Sequence, residues 1–291
     1  MWRLLCASVF VLLIFNSCSL FDQEETIPGI LIISSVEVIE DNPNFETCFG
    51  HKIRNIEVYV NGITQGIYPI NAPIPIFEEG SVDIEIFPLV YASGSSQNIE
   101  PHLFLQKESF SLDINFGEVV ERDIVFEYQP NTVFRLTEFF GLGNQFNIDI
   151  DDDEENTLTV VMDDYCQDNQ VGQFVLDTAT NLAIVTTPSL LENLTSDQAY
   201  LELDYYSELD MTISFAILQQ NSTNLEIQDL YYIKPKLEWN KLYINMTDFI
   251  RQSNGIKFQM YLSASLPLAD EDGNTVYSGK AYLDNIRILT Y

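Results

Sequence analysis

Short segments in which apolar and polar residues alternate recur along most of this chain, and turn signals end them. Asn55–Val60 alternates in this way and is followed by Asn61-Gly62, a dipeptide that favours a two-residue hairpin. Ser81–Val90 repeats the pattern, with valine and isoleucine on one side of the strand and acidic residues on the other. A period of two is typical of strands that bury one face. The sequence therefore predicts an all-β fold.

Helical patterns are confined to two short segments. One is Pro188–Asn193, and the other is Thr247–Arg251, where Thr247 is the predicted N-cap residue. Two segments of this length do not change the predicted fold class.

The strand pattern divides at Gln129-Pro130-Asn131, where a turn-forming stretch separates two groups of strands. Residues 29–129 contain roughly seven short strands, which is typical of an immunoglobulin-like sandwich and equally of a prealbumin-like one. Residues 130–291 contain about eight longer strands, which fits a jelly-roll β-sandwich. We therefore predict a small β-sandwich followed by a jelly roll.

The first residues have the layout of a signal peptide. Arg3 supplies a short basic region, and Leu4–Phe15 is an apolar run shorter than the roughly 20 residues that a helix needs to span a bilayer. Ser17 then precedes Cys18, an order that resembles the lipobox of bacterial lipoproteins. The resemblance implies that residues 1–17 are a lipoprotein signal peptide and that Cys18 is lipidated. An ordinary secretory peptide with an incidental cysteine is the alternative.

Residues 18–28 form an acidic tether in which Asp22, Glu24 and Glu25 closely follow the cysteine. This cluster resembles the export signal that carries lipoproteins of Bacteroidota across the outer membrane. The resemblance implies a protein held at the outer membrane by its lipid anchor and facing the cell exterior; a soluble acidic spacer is the alternative. Acyl chains suffice as an anchor because each buried methylene contributes about 0.8 kcal/mol.

Acidic residues outnumber basic residues by 44 to 13, which gives a formal net charge of −31 at pH 7. Nucleic-acid binding requires Lys and Arg to displace phosphate counterions, so we expect no binding to DNA or RNA. The same charge opposes contact with anionic lipid headgroups, which leaves the lipid anchor as the expected membrane attachment. A hydrophobic content of 46% excludes a disordered chain.

The cysteines allow at most one predicted disulfide. Cys6 falls in the signal peptide and Cys18 is the predicted lipid acceptor, so Cys48 and Cys166 remain. In an oxidising compartment these two would join the two predicted domains. Two free thiols are the alternative.

The segment Ala281–Leu289, "AYLDNIRIL", lies near the end of the sequence and has an apolar-apolar-Asp-Asn-apolar pattern. It resembles the closing strand of galactose-binding-like jelly rolls, the fold that many carbohydrate-binding modules share. Three segments taken together also resemble uncharacterised two-domain surface lipoproteins of Bacteroidota, namely this one, "YLELDYYSELDMTISF" and "EWNKLYINMTDFI". The resemblance implies a jelly roll that binds glycan and makes Asp284 a candidate ligand of structural calcium. A polar residue on the outer face of an edge strand is the alternative for Asp284.

A second calcium candidate is an acidic loop. Asp149, Asp151 and Asp153 alternate along it and offer the oxygen ligands that Ca²⁺ prefers. An EF-hand would need glycine and glutamate where Glu154 and Val160 stand, so that motif is absent. Structural calcium is therefore the one cofactor that the sequence predicts, and a solvated loop without metal is the alternative.

Glycan binding requires exposed aromatic rings, on which the apolar faces of a sugar can lie, beside hydrogen-bonding groups. The candidate ligand residues are Tyr231, Tyr232 and Trp239, with Tyr205, Tyr206 and Tyr261 as further candidates. Because neighbouring strand residues face opposite ways, only one tyrosine of each Tyr-Tyr pair can lie on an exposed face. Packing beneath a loop is the alternative for Trp239.

The sequence carries no recognisable catalytic motif. His51 and His102 are its two histidines, and it contains neither a Gly-x-Ser-x-Gly elbow nor a Gly-rich phosphate loop. We therefore predict no enzymatic activity. Asp177-Thr178-Ala179 resembles a short bacterial O-glycosylation signal, which makes Thr178 a candidate modification site.

Two functions are compatible with these observations. The first is a glycan-binding surface lipoprotein whose jelly roll is held away from the membrane by the small sandwich. The second is a structural or assembly lipoprotein that binds another envelope protein and no small ligand. An exposed row of aromatic residues beside polar side chains would favour the first, and a long exposed apolar patch would favour the second.

Overall fold

The computed structural model of the protein describes residues 27–39, 50–94, 97–151, 157–162, 170–194, 198–269 and 272–291. The predictions for the signal peptide, Cys18, the tether up to residue 26, Cys48, Cys166 and Asp153 lie outside these residues. The described residues form strands with one short helix, which confirms the predicted all-β fold class. No helix among them has the length and apolar character that a membrane span requires.

The first group of strands precedes residue 128 and forms what we call the N-terminal sandwich. Its strands are β1 (Gly29–Ile39), β2 (Asn55–Val60), β3 (Ile63–Pro69), β4 (Pro73–Ile76), β5 (Gly80–Tyr91), β6 (Ile99–Pro101), β7 (Glu108–Ile114) and β8 (Val119–Glu127).

Two sheets enclose the core of the N-terminal sandwich. One has the order β4-β1-β8, in which β1 pairs parallel with β8 and antiparallel with β4. The other has the order β3-β2-β5-β6, with β7 paired to β5. Leu31 of β1, Ile84 of β5 and Phe126 of β8 are buried between them. This burial follows from the alternation of apolar and polar residues along each strand.

The hairpin predicted at Asn61-Gly62 is present between β2 and β3. Val60 pairs with Ile63, so the loop has two residues. Asn61 has a φ of 49° and Gly62 a φ of 76°. Positive φ at both loop positions is the conformation that matches the twist of a two-residue hairpin, and Asn-Gly adopts it readily.

The second group of strands forms what we call the C-terminal sandwich. Its strands are β9 (Val133–Glu138), β10 (Ile148–Asp149), β11 (Thr159–Met162), β12 (Gln170–Asp177), β13 (Leu182–Thr186), β14 (Leu191–Glu192), β15 (Ala199–Ser207), β16 (Asp210–Gln219), β17 (Leu225–Ile233), β18 (Lys236–Asn245), β19 (Gly255–Ser265) and β20 (Ser278–Thr290).

The C-terminal sandwich also has two sheets. The front sheet has the order β11-β12-β20-β15-β18, with β9 on β20, and the back sheet has the order β10-β13-β19-β16-β17, with β14 on β19. Phe174 and Leu203 of the front sheet share one buried core with Phe215 of the back sheet. Gly172 is needed in β12, because a Cβ there would lie 2.5 Å from the ring of Phe140. The core therefore lies between the two sheets.

One of the two predicted helices is present and the other is not. The helix α1 (Thr247–Ser253) follows β18, but its N-cap residue is Met246, so the prediction for Thr247 was wrong. Instead, the backbone N–H of Thr247 donates to Oδ1 of Asn245. The prediction of a helix at Pro188–Asn193 was also wrong. Leu191 packs against the core and pairs with β19, and this tertiary pairing outweighs a weak local preference.

The N-terminal sandwich covers one end of the front sheet. Tyr200, Tyr243 and Leu289 project from the front sheet into the buried cluster of the N-terminal sandwich. Ala92, just after β5, forms a β-bridge with Tyr243. The two sandwiches thus share buried apolar contacts. That the chain divides near Gln129 into independently folding domains stays a prediction.

Candidate ligand-binding face

The outer face of the front sheet collects the polar and aromatic side chains of its strands. On β15, Leu203 and Tyr205 belong to the sandwich core, so Asp204 and Tyr206 point to the outer face. On β20, Ala281 and Leu283 belong to the core, and Tyr282 between them therefore points outward. The alternation that builds the core thus also builds this face.

Four side chains on this face form what we call the aromatic face, namely Gln173, Tyr206, Trp239 and Tyr282. The strand register places Tyr282 opposite Gln173 of β12 and opposite Tyr206 of β15. The rings of Tyr206 and Tyr282 have centroids 5.8 Å apart at 63°, and those of Trp239 and Tyr282 have centroids 6.4 Å apart at 41°. Three aromatic rings from three strands therefore meet at one place.

The aromatic face combines ring surface with a hydrogen-bonding group. Tyr206, Tyr282 and Gln173 are partly exposed, whereas Trp239 is 7% exposed and supports Tyr282 from beside it. One edge-on pair and one tilted pair hold the rings in position, and each pair is worth about 0.5–1.5 kcal/mol beyond its burial. The arrangement can take a flat, partly apolar ligand on the tyrosines and hydrogen-bond it through Gln173.

Asp284 lies on the same face, in a buried polar cluster. It stands opposite Asp204 of β15, and the side-chain amide of Asn285 donates to Oδ2 of Asp204 at 3.0 Å. Asn285 has a φ of 48° and lies in a β-bulge of β20. Because of this bulge, the core-facing residues on either side of it are Leu283 and Ile286, which are three positions apart instead of two. Nζ of Lys241 is 3.5 Å from Oδ1 of Asp204.

The calcium prediction concerns this cluster and the acidic loop. Oδ2 of Asp151 accepts the backbone N–H of Ile184 at 2.7 Å, and Oδ1 of Asp149 accepts that of Asp151 at 3.1 Å. Among the described residues, no group of three or more His, Cys, Asp and Glu side chains is arranged to hold a metal ion. Asp153 lies outside those residues, and calcium binding stays a prediction.

At the covered end of the same face, Glu202 has no solvent exposure. Its carboxylate lies 2.7 Å from Nε2 of His102 and 2.9 Å from Nη2 of Arg287, and it accepts the hydroxyl of Tyr128 at 3.0 Å. Burial acts to raise the pKa of Glu202, but the charge of Arg287, the hydrogen bond with His102 and the charge of Lys241 outweigh burial and hold that pKa well below its usual range. Glu202 is therefore ionised.

The three predicted ligand residues are not brought together. Tyr231 packs against the core and donates its hydroxyl to the carbonyl of Ser93, and Tyr232, 50% exposed, faces the other side of β17 in the back sheet. Burial and a hydrogen bond to Asp210 raise the pKa of Tyr232 to about 12. Trp239 belongs to the front sheet. As predicted, each Tyr-Tyr pair directs one ring into the core and the other outward.

Thr178 lies at an exposed turn after β12. Oδ1 of Asp177 accepts the backbone N–H groups of Ala179 and Thr180 at 2.7 and 3.0 Å, which fixes the turn. The backbone hydrogen bonds lower the pKa of Asp177. The threonine is accessible to an enzyme, and its O-glycosylation stays a prediction.

Sequence reasoning missed Tyr282 and Gln173. Both alternate with apolar residues in segments that the pattern had already marked as strands, so their outward orientation was available from the sequence. Their proximity to Tyr206 and Trp239 was not available, because it depends on the strand order β12-β20-β15-β18.

No family model matches this sequence, and no curated protein does. Among solved structures, the chain resembles TmCBM61 in complex with β-1,4-galactotriose, with 12% identity, a TM-score of 0.34, and coverage of 54% of this chain and 97% of that chain. It also resembles the CBM22-2 xylan-binding domain of Xyn10C from Paenibacillus barcinonensis, with 15% identity, a TM-score of 0.35, and coverage of 54% and 99%. A third match has 9% identity and a TM-score of 0.39, and it covers 92% of this chain and 100% of the other chain. That structure concerns the promiscuous specificity of carbohydrate-binding modules from the β-sandwich superfamily.

Proposed function

We propose that this protein is a non-enzymatic, glycan-binding lipoprotein that binds its ligand on the aromatic face of the front sheet. The observation that carries the proposal is the convergence of Tyr206, Trp239 and Tyr282 on one partly exposed area of a sheet, with Gln173 beside them. Aromatic rings next to an amide match the chemistry of a sugar, which has apolar C–H faces and polar hydroxyl edges.

The proposal includes the location of the protein. The order of Leu4–Phe15, Ser17 and Cys18, followed by an acidic tether, supports export and lipid anchoring at the outer membrane. A ligand-binding face held outside the cell on such a tether can reach extracellular glycans. Replacement of Cys18 by serine is expected to release the protein from the membrane fraction, which immunoblotting of fractionated cells would detect.

The positions of both histidines support a non-enzymatic role. His51 is 8% exposed and His102 is 3% exposed, and His102 lies against Glu202 beneath the N-terminal sandwich. Neither is one of the four residues of the aromatic face, and burial limits the access of a sugar to either ring.

The sharpest test compares tyrosines on the two sheets. The full chain, solubilised in detergent, is applied to a glycan array with calcium and again with chelator. Tyr206→Ala and Tyr282→Ala are expected to weaken binding about tenfold each, equivalent to about 1.4 kcal/mol. Tyr232→Ala, which removes an exposed ring from the back sheet, serves as the matched control and is expected to bind normally.

Different outcomes of this experiment test glycan binding, the location of the site and the calcium prediction separately. An array without any binding, from protein shown to be folded by circular dichroism, would contradict the proposed function. Loss of binding in Tyr232→Ala alone would move the site to the back sheet. Loss of binding with chelator would support the calcium prediction and would make Asp284 the first residue to replace.

The exposed apolar residues of β3 do not form the long apolar patch that would favour an assembly lipoprotein. Ile63 is 63% exposed and Ile67 is 53% exposed. Ile63 pairs with Val60 and Ile67 with Glu57, and a bulge lies between these pairs. Val60 and Glu57 face opposite sides of β2, so the two isoleucines do not form one apolar patch.

A further inference from the structure

A cationic pocket lies where the N-terminal sandwich meets the edge strand β18 of the front sheet. It has a volume of about 280 Å³ and is bordered by the segment before β2, the end of β5 and β18. We call it the junction pocket, and the lining residues that matter here are Lys52, Arg54, Lys236, Glu238, Asn240 and Lys241.

The charge of this pocket opposes that of the whole protein. The sequence has 13 Lys and Arg residues against 44 acidic ones, yet four of those 13 line this pocket among the described residues. Glu238 is the one carboxylate in the described lining, and its side chain is 69% exposed. In so acidic a protein, a local excess of positive charge is a specific feature, because a cleft lined by one sign of charge concentrates ligands of the other sign.

Lys241 is the buried member of the cluster. Its side chain has no solvent exposure, and its Nζ is 3.5 Å from Oδ1 of Asp204. Nζ donates no hydrogen bond to a described residue, although an ammonium group has three donors. Lys241 therefore contributes positive charge at the inner wall of the pocket, offset in part by the carboxylate of Asp204, without being exposed to a ligand.

Lys52 is held close to other cations. Its Nζ donates to the backbone carbonyl of Trp239 and lies 3.4 Å from Oδ1 of Asn240. Burial, followed by the charges of Lys236 and Arg54, lowers the pKa of Lys52. Like charges placed this close repel one another, and an anion bound between them would replace the repulsion with attraction.

The junction pocket adjoins the aromatic face. Lys241 and Trp239 are two residues apart on β18 and therefore point to the same side of the strand. Trp239 in turn contacts Tyr282. At about 280 Å³, the pocket is slightly smaller than the roughly 300–1,000 Å³ of a complete small-molecule site. Its size suits one charged substituent of a ligand whose remaining part lies on the tyrosines.

We infer that the ligand of this protein is an acidic glycan, whose oxyanion, a uronate carboxylate or a sulfate, binds in the junction pocket to Arg54 and Lys236, with the charge of the buried Lys241 behind them, while a sugar ring lies on the aromatic face. This inference rests on the proposed function and adds the chemical class of the glycan to it. Lys236 and Lys241 already pair with Glu238 and Asp204, and an acidic glycan would add an anion for the positive charge of Lys52 and Arg54.

The test uses acidic glycans and their neutral derivatives. Affinities of the full chain are measured by calorimetry for polygalacturonate and alginate before and after carboxyl reduction. Chondroitin sulfate is measured intact, after either treatment alone, and after both carboxyl reduction and desulfation, which gives its neutral derivative. Galactan and xylan serve as neutral probes. At least one acidic polymer is expected to bind tenfold more tightly than its neutral derivative. Carboxyl reduction and desulfation together identify which oxyanion is recognised.

The variant test removes charge without disturbing the buried Lys241. The double variant Arg54→Gln/Lys236→Gln changes an exposed and a partly exposed side chain and is expected to weaken binding of the acidic polymer at least tenfold. The double variant Arg251→Gln/Lys257→Gln removes the same charge from α1 and β19 and is expected to change affinity less than twofold.

The outcomes distinguish this inference from the proposed function. Binding to neutral probes alone, equal binding of an acidic polymer and its neutral derivative, or equal losses in both double variants would overturn the acidic-glycan inference and leave glycan binding in place. Absence of binding to every probe, from folded protein, would contradict the proposed function and the inference with it.

Discussion

The two ends of the outer face of the front sheet differ in what covers them. At one end Glu202 and Arg287 are fully buried beneath the N-terminal sandwich, where His102 and Tyr128 complete their contacts. At the other end Tyr206 and Tyr282 remain partly exposed. One sheet face is therefore a structural interface at one end and partly open to solvent at the other, and the packing of the N-terminal sandwich decides which charges must be paired internally.

The largest expected effect comes from breaking the covered end. Glu202→Gln leaves Arg287 buried without its carboxylate, and loss of one partner of a buried ion pair typically costs about 3–5 kcal/mol. The free energy of unfolding, measured with urea, is expected to fall by about that amount. Glu238→Gln serves as the control, because its ion pair with Lys236 at 3.4 Å is exposed and worth about 1 kcal/mol or less. Similar losses in both variants would contradict the distinction between the two ends.

The covered end should also give the protein a specific sensitivity to acid. The pKa of Glu202 is lowered on folding, so its ionisation stabilises the protein above the pKa of the unfolded state, about 4.3. This contribution is lost as the pH falls below that value towards the folded pKa. The stability difference between wild type and Glu202→Gln is therefore expected to shrink below about pH 5, by up to about 1.4 kcal/mol per pH unit. Urea titrations at pH 7, 5, 4 and 3 would show this, and a constant difference down to pH 3 would contradict it.

The smallest effect on stability is expected at the uncovered end. Tyr282→Ala removes a partly exposed ring and its contacts with Tyr206 and Trp239, and should cost about 1–2 kcal/mol, since each ring pair contributes about 0.5–1.5 kcal/mol. Tyr282→Phe keeps the ring and should change the urea midpoint little. A loss in Tyr282→Ala as large as that in Glu202→Gln would show that this ring is structural and would weaken its assignment to ligand binding.

Much of the fold could be predicted from local pattern. The alternation in Asn55–Val60 and Ser81–Val90 predicted strands that the structure contains, and Asn61-Gly62 predicted the hairpin between β2 and β3. These predictions succeed because side-chain alternation and loop conformation depend on residues adjacent in sequence. The helix predicted at Pro188–Asn193 was wrong because Leu191 pairs with Phe258, a partner that no local pattern reveals.

The candidate site was only partly predictable for the same reason. Trp239 and Tyr206 were recognised as aromatic candidates, but Trp239 was grouped with Tyr231 and Tyr232, which lie on the back sheet. The residue that connects Tyr206 to Trp239 is Tyr282, which is far from both in sequence. Strand order, which is set by long-range pairing, decided which rings meet.

The sequence by itself determined the strand alternation, the acidic surface charge and the chemical character of each strand face. It placed Glu202, Asp204 and Tyr206 on one side of β15, opposite Leu203, because side chains alternate along a strand. Only the tertiary structure decided that Glu202 is buried while Tyr206 is partly exposed. The physical reason is that alternation assigns a residue to a face of the sheet, whereas its burial depends on where the N-terminal sandwich packs. That packing joins residues about 100 positions apart, as in the 2.7 Å contact between His102 and Glu202.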